Sequence, residues 1–152
     1  MKKNFALGLA QLLMALGFIL GFQPSALASV SGDWKGQGSW TYEGTGDHCQ
    51  VQMSFQQTAQ NLTRQKSSFN CDIVKMDSPA ITWDLQGQNM LLNGVVVGQI
   101  VGDSFTVTEK YSPTISIKMT LKAQGLHADY SEVWSDDKGQ VIYNIQATLS
   151  RP

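Results

Sequence analysis

From Ser29 onward the apolar residues of this chain recur at every second position, and no 3.6-residue pattern interrupts them. Side chains on an extended strand alternate between its two faces, so such runs fold as half-buried antiparallel strands. Val51, Met53 and Phe55 alternate with Gln52, Ser54 and Gln56. Ile115, Ile117, Met119 and Leu121 alternate with Ser116, Lys118, Thr120 and Lys122. Leu126, Ala128, Tyr130, Glu132 and Trp134 share one parity, as do Val141, Tyr143, Ile145, Ala147 and Leu149.

Turn residues fall between the runs at short intervals: Glu43-Gly44, Ala59-Gln60-Asn61, Gly87, Asn93-Gly94, Gly102-Asp103, Ser112-Pro113, Gln124-Gly125 and Asp136-Asp137-Lys138-Gly139. The pattern predicts about ten strands, near 33–43, 47–58, 61–72, 79–86, 88–93, 95–101, 103–109, 114–123, 126–135 and 140–150. Ten strands joined by hairpin-length turns, with no long crossover, read as an all-β, antiparallel up-and-down β-barrel. A two-sheet sandwich is the rival architecture. Residues 29–152 are expected to form this single domain.

Residues 1–28 follow a different rule. Met1-Lys2-Lys3 is positive, Phe5 to Phe22 is apolar, and Ala26-Leu27-Ala28 presents small residues where a signal peptidase reads. This is the secretory pattern, with cleavage expected after Ala28. An uncleaved membrane anchor is the alternative, since the apolar run approaches spanning length. The brief signal and its lysine pair point to a bacterial source, hence a periplasmic or extracellular protein without a membrane anchor after cleavage. The whole chain carries 11 basic and 12 acidic residues. Both lysines of the signal leave and no acid does, so nine basic residues face twelve acidic ones and the mature charge is −3. No basic excess marks a nucleic-acid binder.

Export also decides the reading of the two cysteines, Cys49 and Cys71, because an oxidising compartment favours their pairing. A hairpin centred on Gln60 sets Cys49 opposite Cys71, Val51 opposite Phe69 and Met53 opposite Ser67. Opposed residues of an antiparallel pair lie within disulfide reach.

The mature chain opens with Gly32-Asp33-Trp34-Lys35-Gly36-Gln37-Gly38 and closes with Ala147-Thr148-Leu149-Ser150-Arg151. A Gly-x-Trp on the first strand and a basic residue ending the last resemble the calycin superfamily of lipocalin-like barrels. The resemblance implies that Trp34 plugs one end of the barrel and Arg151 packs across it. The longer form Gly-x-Trp-x-Gly-x-Gly looks most like the nitrobindin-type barrels, which hold haem. Ser39-Trp40-Thr41-Tyr42 lacks the proline of that family, and Asn144 stands where its haem-ligating histidine is expected. No cofactor is therefore expected.

A barrel of this size has room for one small guest. The candidate lining is Trp40, Tyr42, Phe55, Trp83, Phe105, Tyr130, Trp134 and Tyr143, together with Glu132, whose parity aims its carboxylate inward. The same rings would serve equally to fill a closed core. A buried carboxylate needs a partner, such as Arg151, a lysine, a ligand or water, unless Glu132 sits near the barrel mouth. If Asn144, Gln146 and Thr148 faced inward instead, the cavity would be wetter. His127-x-Asp129 offers two metal ligands without a third, and no serine stands in a nucleophile motif. These readings converge on non-enzymatic binding of a small hydrophobic or amphipathic ligand. The alternatives are an interaction or inhibitor protein using the barrel as scaffold and, more remotely, a small isomerase or hydrolase.

Overall fold

A computed structural model describes residues 29–152, so the signal and its cleavage site lie largely outside the described residues. Eleven strands follow one another: β1 (Gly32–Tyr42), β2 (Thr45–Gln57), β3 (Asn61–Cys71), β4 (Lys75–Ser78), β5 (Ile81–Gln86), β6 (Asn89–Leu92), β7 (Val95–Val101), β8 (Ser104–Ser112), β9 (Ile115–Gln124), β10 (His127–Asp136) and β11 (Val141–Ser150). Each pairs antiparallel with its neighbours. Hydrogen bonds run in a ring from β1 through β2, β3 and β5 to β11 and back to β1. The ring is an up-and-down, lipocalin-like barrel of ten strands, with β4 outside the count.

β4 is the element that periodicity did not show. Lys75-Met76-Asp77-Ser78 holds a single apolar residue, too few to display alternation. β3 pairs with β4 and β5 in one continuous register, from Asn70↔Lys75 to Asn61↔Asp84. The two are halves of one strand, interrupted at Pro79-Ala80, where proline supplies no ladder N–H. The expected strand at 79–86 accordingly starts at Ile81.

β2 and β3 meet as Cys49↔Cys71, Val51↔Phe69 and Met53↔Ser67. Past Ser54 the register shifts, because Gln65 is an extra residue on β3. This bulge makes Arg64 and Ser67 successive inward positions, where strict alternation would turn one of them out.

Closure depends on glycine. A Cβ on Gly36 would lie 1.9 Å from the Thr148 carbonyl oxygen, and one on Gly38 would lie 2.1 Å from that of Gln146. Only glycine lets β1 approach β11 so closely.

The two ends of the barrel differ. The turns at 58–60, 87–88, 102–103 and 125–126 gather at one end with both ends of the described chain. There Trp34 is fully buried and donates from Nε1 to the Val30 carbonyl oxygen at 2.9 Å. The Arg151 guanidinium lies 4.3 Å from the Trp34 ring centroid and donates to the Ser29 carbonyl oxygen. Val30, itself fully buried, completes the plug. The turns at 43–44, 72–74, 93–94, 113–114 and 137–140 gather at the opposite, more open end, where Ile117, Trp134 and Tyr143 are only half-buried.

Candidate functional site at the open end

The inward positions nearest the closed end make a packed core. Phe55 and Phe105 meet edge to face at 5.6 Å, and Trp83 packs on Phe105 at 5.9 Å. Phe69 stacks on Tyr130 at 6.2 Å. Four of the expected lining residues, Phe55, Trp83, Phe105 and Tyr130, therefore fill space at this level and are buried.

Towards the open end the inward positions keep contact with solvent. Trp134 and Tyr143 are half-buried and stack at 4.7 Å, and Tyr111 lies against Trp134 at 4.9 Å. Ile117 stands beside Trp134 on β9 and is also half-buried. Trp40 stacks on Tyr42 at 6.0 Å, Trp40 being buried and Tyr42 exposed. Trp40, Tyr42, Trp134 and Tyr143 thus form a mouth, joined by Tyr111 and Ile117. Tyr111 shares the inward parity of Phe105, Val107 and Glu109 and is the unpaired residue of a bulge in β8.

Beneath the rings lies a polar floor. Glu132 is buried, and its two oxygens accept from Tyr130 Oη and Trp134 Nε1, each at 2.6 Å. Its partners are thus the inward neighbours of its own strand, rather than Arg151, which belongs to the plug at the far end. Glu109, two positions beyond Val107 on β8, accepts from Trp83 Nε1. Burial raises the Glu109 carboxyl above its ordinary range, and the Glu132 charge adds to this against the Trp83 N–H and the Arg64 charge. Burial, then the Glu132 carboxylate, pushes the Tyr130 hydroxyl well up. Tyr143 is raised for the same two reasons in the same order.

Arg64 reaches into this floor from β3 and is buried. Among the described residues its hydrogen bond is from Nη1 to the Met119 sulfur at 3.1 Å, and its Nε has no partner. The fully buried Ser67 hydroxyl is also unpartnered. Sequence reading missed Arg64, Glu109 and Tyr111. The parity of Phe105 and Val107 could have found Glu109 and Tyr111, whereas Arg64 sits beside a bulge that no period reveals.

Other readings resolve by position. Asn144 shares the outward parity of Gln146 and Thr148, while Ile145, Ala147 and Leu149 face in. His127 and Asp129 are exposed on the outer face of β10. Cys49 and Cys71 point inward, both buried, and are joined in a disulfide with Cα atoms 4.0 Å apart. A groove of about 880 Å³ crosses the outside of the barrel, with Gln37, Lys118, Thr120, Asp129 and Thr148 among its walls. Its walls are contributed mainly by β1, β9, β10 and β11.

The described residues thus form an antiparallel, lipocalin-like barrel with aromatic side chains at one end above buried carboxylates. No protein-family model and no curated protein matches the chain. Its fold is similar to that of an S-type phycobiliprotein lyase from Guillardia theta, with a TM-score of 0.57 and 9% identity over 80% of this chain and 88% of that one. It is also similar to a protein of unknown function, of the DUF3598 family, from Nostoc punctiforme, with a TM-score of 0.55 and 16% identity. That match covers 80% of this chain, which spans only 47% of the other. At such identities the likeness shows the fold alone. It corrects one expectation. Absence of a familiar catalytic motif pointed to a barrel that is not an enzyme, but a barrel of this same fold is a lyase, so that inference does not stand.

Proposed function

We propose that this is an exported, calycin-like barrel whose open end binds one small amphipathic ligand. Residues 1–28 act as the export signal, are removed after Ala28, and leave no membrane anchor. The compartment is the periplasm or the extracellular space, in keeping with the disulfide. The observation that carries the binding role is the accessibility of inward rings. Trp134, Tyr143 and Tyr111 stack together in solvent contact directly above the buried Glu132, at positions a filled barrel would enclose. A flat apolar body stacks on these rings while its polar end reaches the floor.

Native mass spectrometry of the purified chain, before and after solvent extraction, tests the role. The expected result is an extractable mass on the folded protein, or uptake of a fatty-acid or porphyrin probe after stripping. A barrel that is empty and takes up none of the probes contradicts the proposal.

A second reading has its own observation. Tyr42, Ile73, Val95, Val96, Tyr111 and Val141 are exposed, and every hairpin of the open end carries at least one of them. This apolar crown favours contact with a protein partner around the same mouth. Cross-linking through a photoreactive group at Ile73 should capture a partner on that reading, and only solvent adducts without it.

A further inference from the structure

The floor of the mouth has unmet hydrogen bonds of one kind, and they define the polar end of the guest. Arg64 is 7% exposed and Ser67 fully buried, and both side chains are turned into the barrel from successive inward positions of β3. A guanidinium offers five N–H donors, and the acceptor it has found is a thioether, a weak one. Arg64 Nε and Ser67 Oγ have no partner. A buried cation without strong hydrogen bonds destabilises the empty protein, so its stabilising partner is sought in an occupant of the site.

The opposite side of the floor offers the reverse chemistry. Glu109 and Glu132 present carboxylate oxygens, each already receiving aromatic N–H or O–H donors and each with lone pairs to spare. A guest carboxylate at Arg64 would bring acceptors alone and no N–H for the two glutamates. An uncharged carbonyl oxygen also satisfies Arg64 and Ser67. N–H groups beside the carbonyl then face the two glutamates.

We infer that the ligand is an uncharged amide-like molecule, whose carbonyl oxygen is held by Arg64 and Ser67 and whose N–H groups face Glu109 and Glu132. The inference rests on the binding role proposed above and adds the functional group that is recognised. A lactam, a primary or secondary amide, or a urea carries this arrangement of acceptor and donor.

A matched trio of planar probes tests it: 2-naphthylacetamide, 2-naphthylacetic acid and methyl 2-naphthylacetate, titrated into the extracted protein with tryptophan fluorescence as readout. The amide is expected to bind about tenfold or more tightly than either relative. R64M should abolish this preference while the naphthyl ring still binds weakly, and S67A should reduce it several-fold. Thermal unfolding of the parent and of R64M supplies a second readout. Added amide should raise the unfolding midpoint of the parent and leave that of R64M where it stands without probe. Tightest binding by the acid, equal binding by all three, or an equal rise of the midpoint in R64M on adding the amide would overturn the inference and leave the binding role standing. Failure of all three probes in a protein that also yields no extractable mass would remove the binding role, and the inference with it.

Discussion

At the scale of single residues, Glu132 organises the floor of the mouth. It holds the Tyr130 hydroxyl and the Trp134 indole at once, fixing a ring of the mouth and a ring of the core with one carboxylate. E132A leaves two buried or half-buried donors without an acceptor and should cost about 2–4 kcal/mol in urea unfolding. E132Q keeps an oxygen acceptor and removes the charge. Because that charge is the second cause of the raised Tyr130 hydroxyl, the last stage of tyrosine ionisation followed by ultraviolet absorbance should fall at lower pH in E132Q. An unchanged titration would show that the carboxylate does not act on Tyr130. Glu109 gives a prediction with a definite sign. Its carboxyl is raised in the folded state, so the fold binds its proton more tightly than the unfolded chain does. The associated stability is complete below the ordinary carboxyl range and is lost as pH rises through the folded value. Stability measured from pH 4 upwards should therefore decline less steeply in E109Q than in the parent, and an equal decline would place its origin elsewhere.

At the scale of strands, closure and cross-linking can be separated by substitution. G36A drives a Cβ to 1.9 Å from a backbone oxygen of β11, which cannot move aside as a side chain can. At least about 2–3 kcal/mol should be lost, visible as a lowered midpoint in chemical unfolding. The Cys49–Cys71 bridge joins β2 to β3 across a separation of 22 residues. Reduction, or paired substitution by alanine, should cost about 3 kcal/mol in the chain-entropy account. An unchanged melting temperature on reduction would mean that the bridge does not hold the fold. These strands were largely legible in the sequence, because each long run alternates and ends at glycine, asparagine or proline. The register of β2 on β3 was legible too, from the two cysteines and the turn between them. β4 was not, since one methionine among polar residues carries no period. Half of the floor was hidden for a related reason. The Gln65 bulge brings Arg64 and Ser67 inward together. An inserted residue changes parity locally while leaving the composition of the strand unremarkable.

At the scale of the molecule, the barrel is asymmetric along its axis. One end is sealed by Val30, Trp34 and Arg151, and the other is ringed by solvent-contacting aromatics above buried charges. Sequence alternation placed the aromatic residues inside, but it could not say which of them pack the core and which stand at the mouth. That division depends on height along the axis, which follows from strand tilt and stagger rather than from parity. The four tryptophans sample this axis: Trp34 in the plug, Trp83 in the core, and Trp40 and Trp134 at the mouth. Their indole N–H resonances, assigned by single Trp-to-Phe variants and followed in a proton–nitrogen correlation spectrum, test the central claim directly. Titration with a planar amphipathic probe should move Trp134 first and most, move Trp40 and Trp83 less, and leave Trp34 in place. An indole of Trp134 that stays fixed at saturating probe, or shifts confined to Trp34 and the outer faces of the strands, would contradict the account.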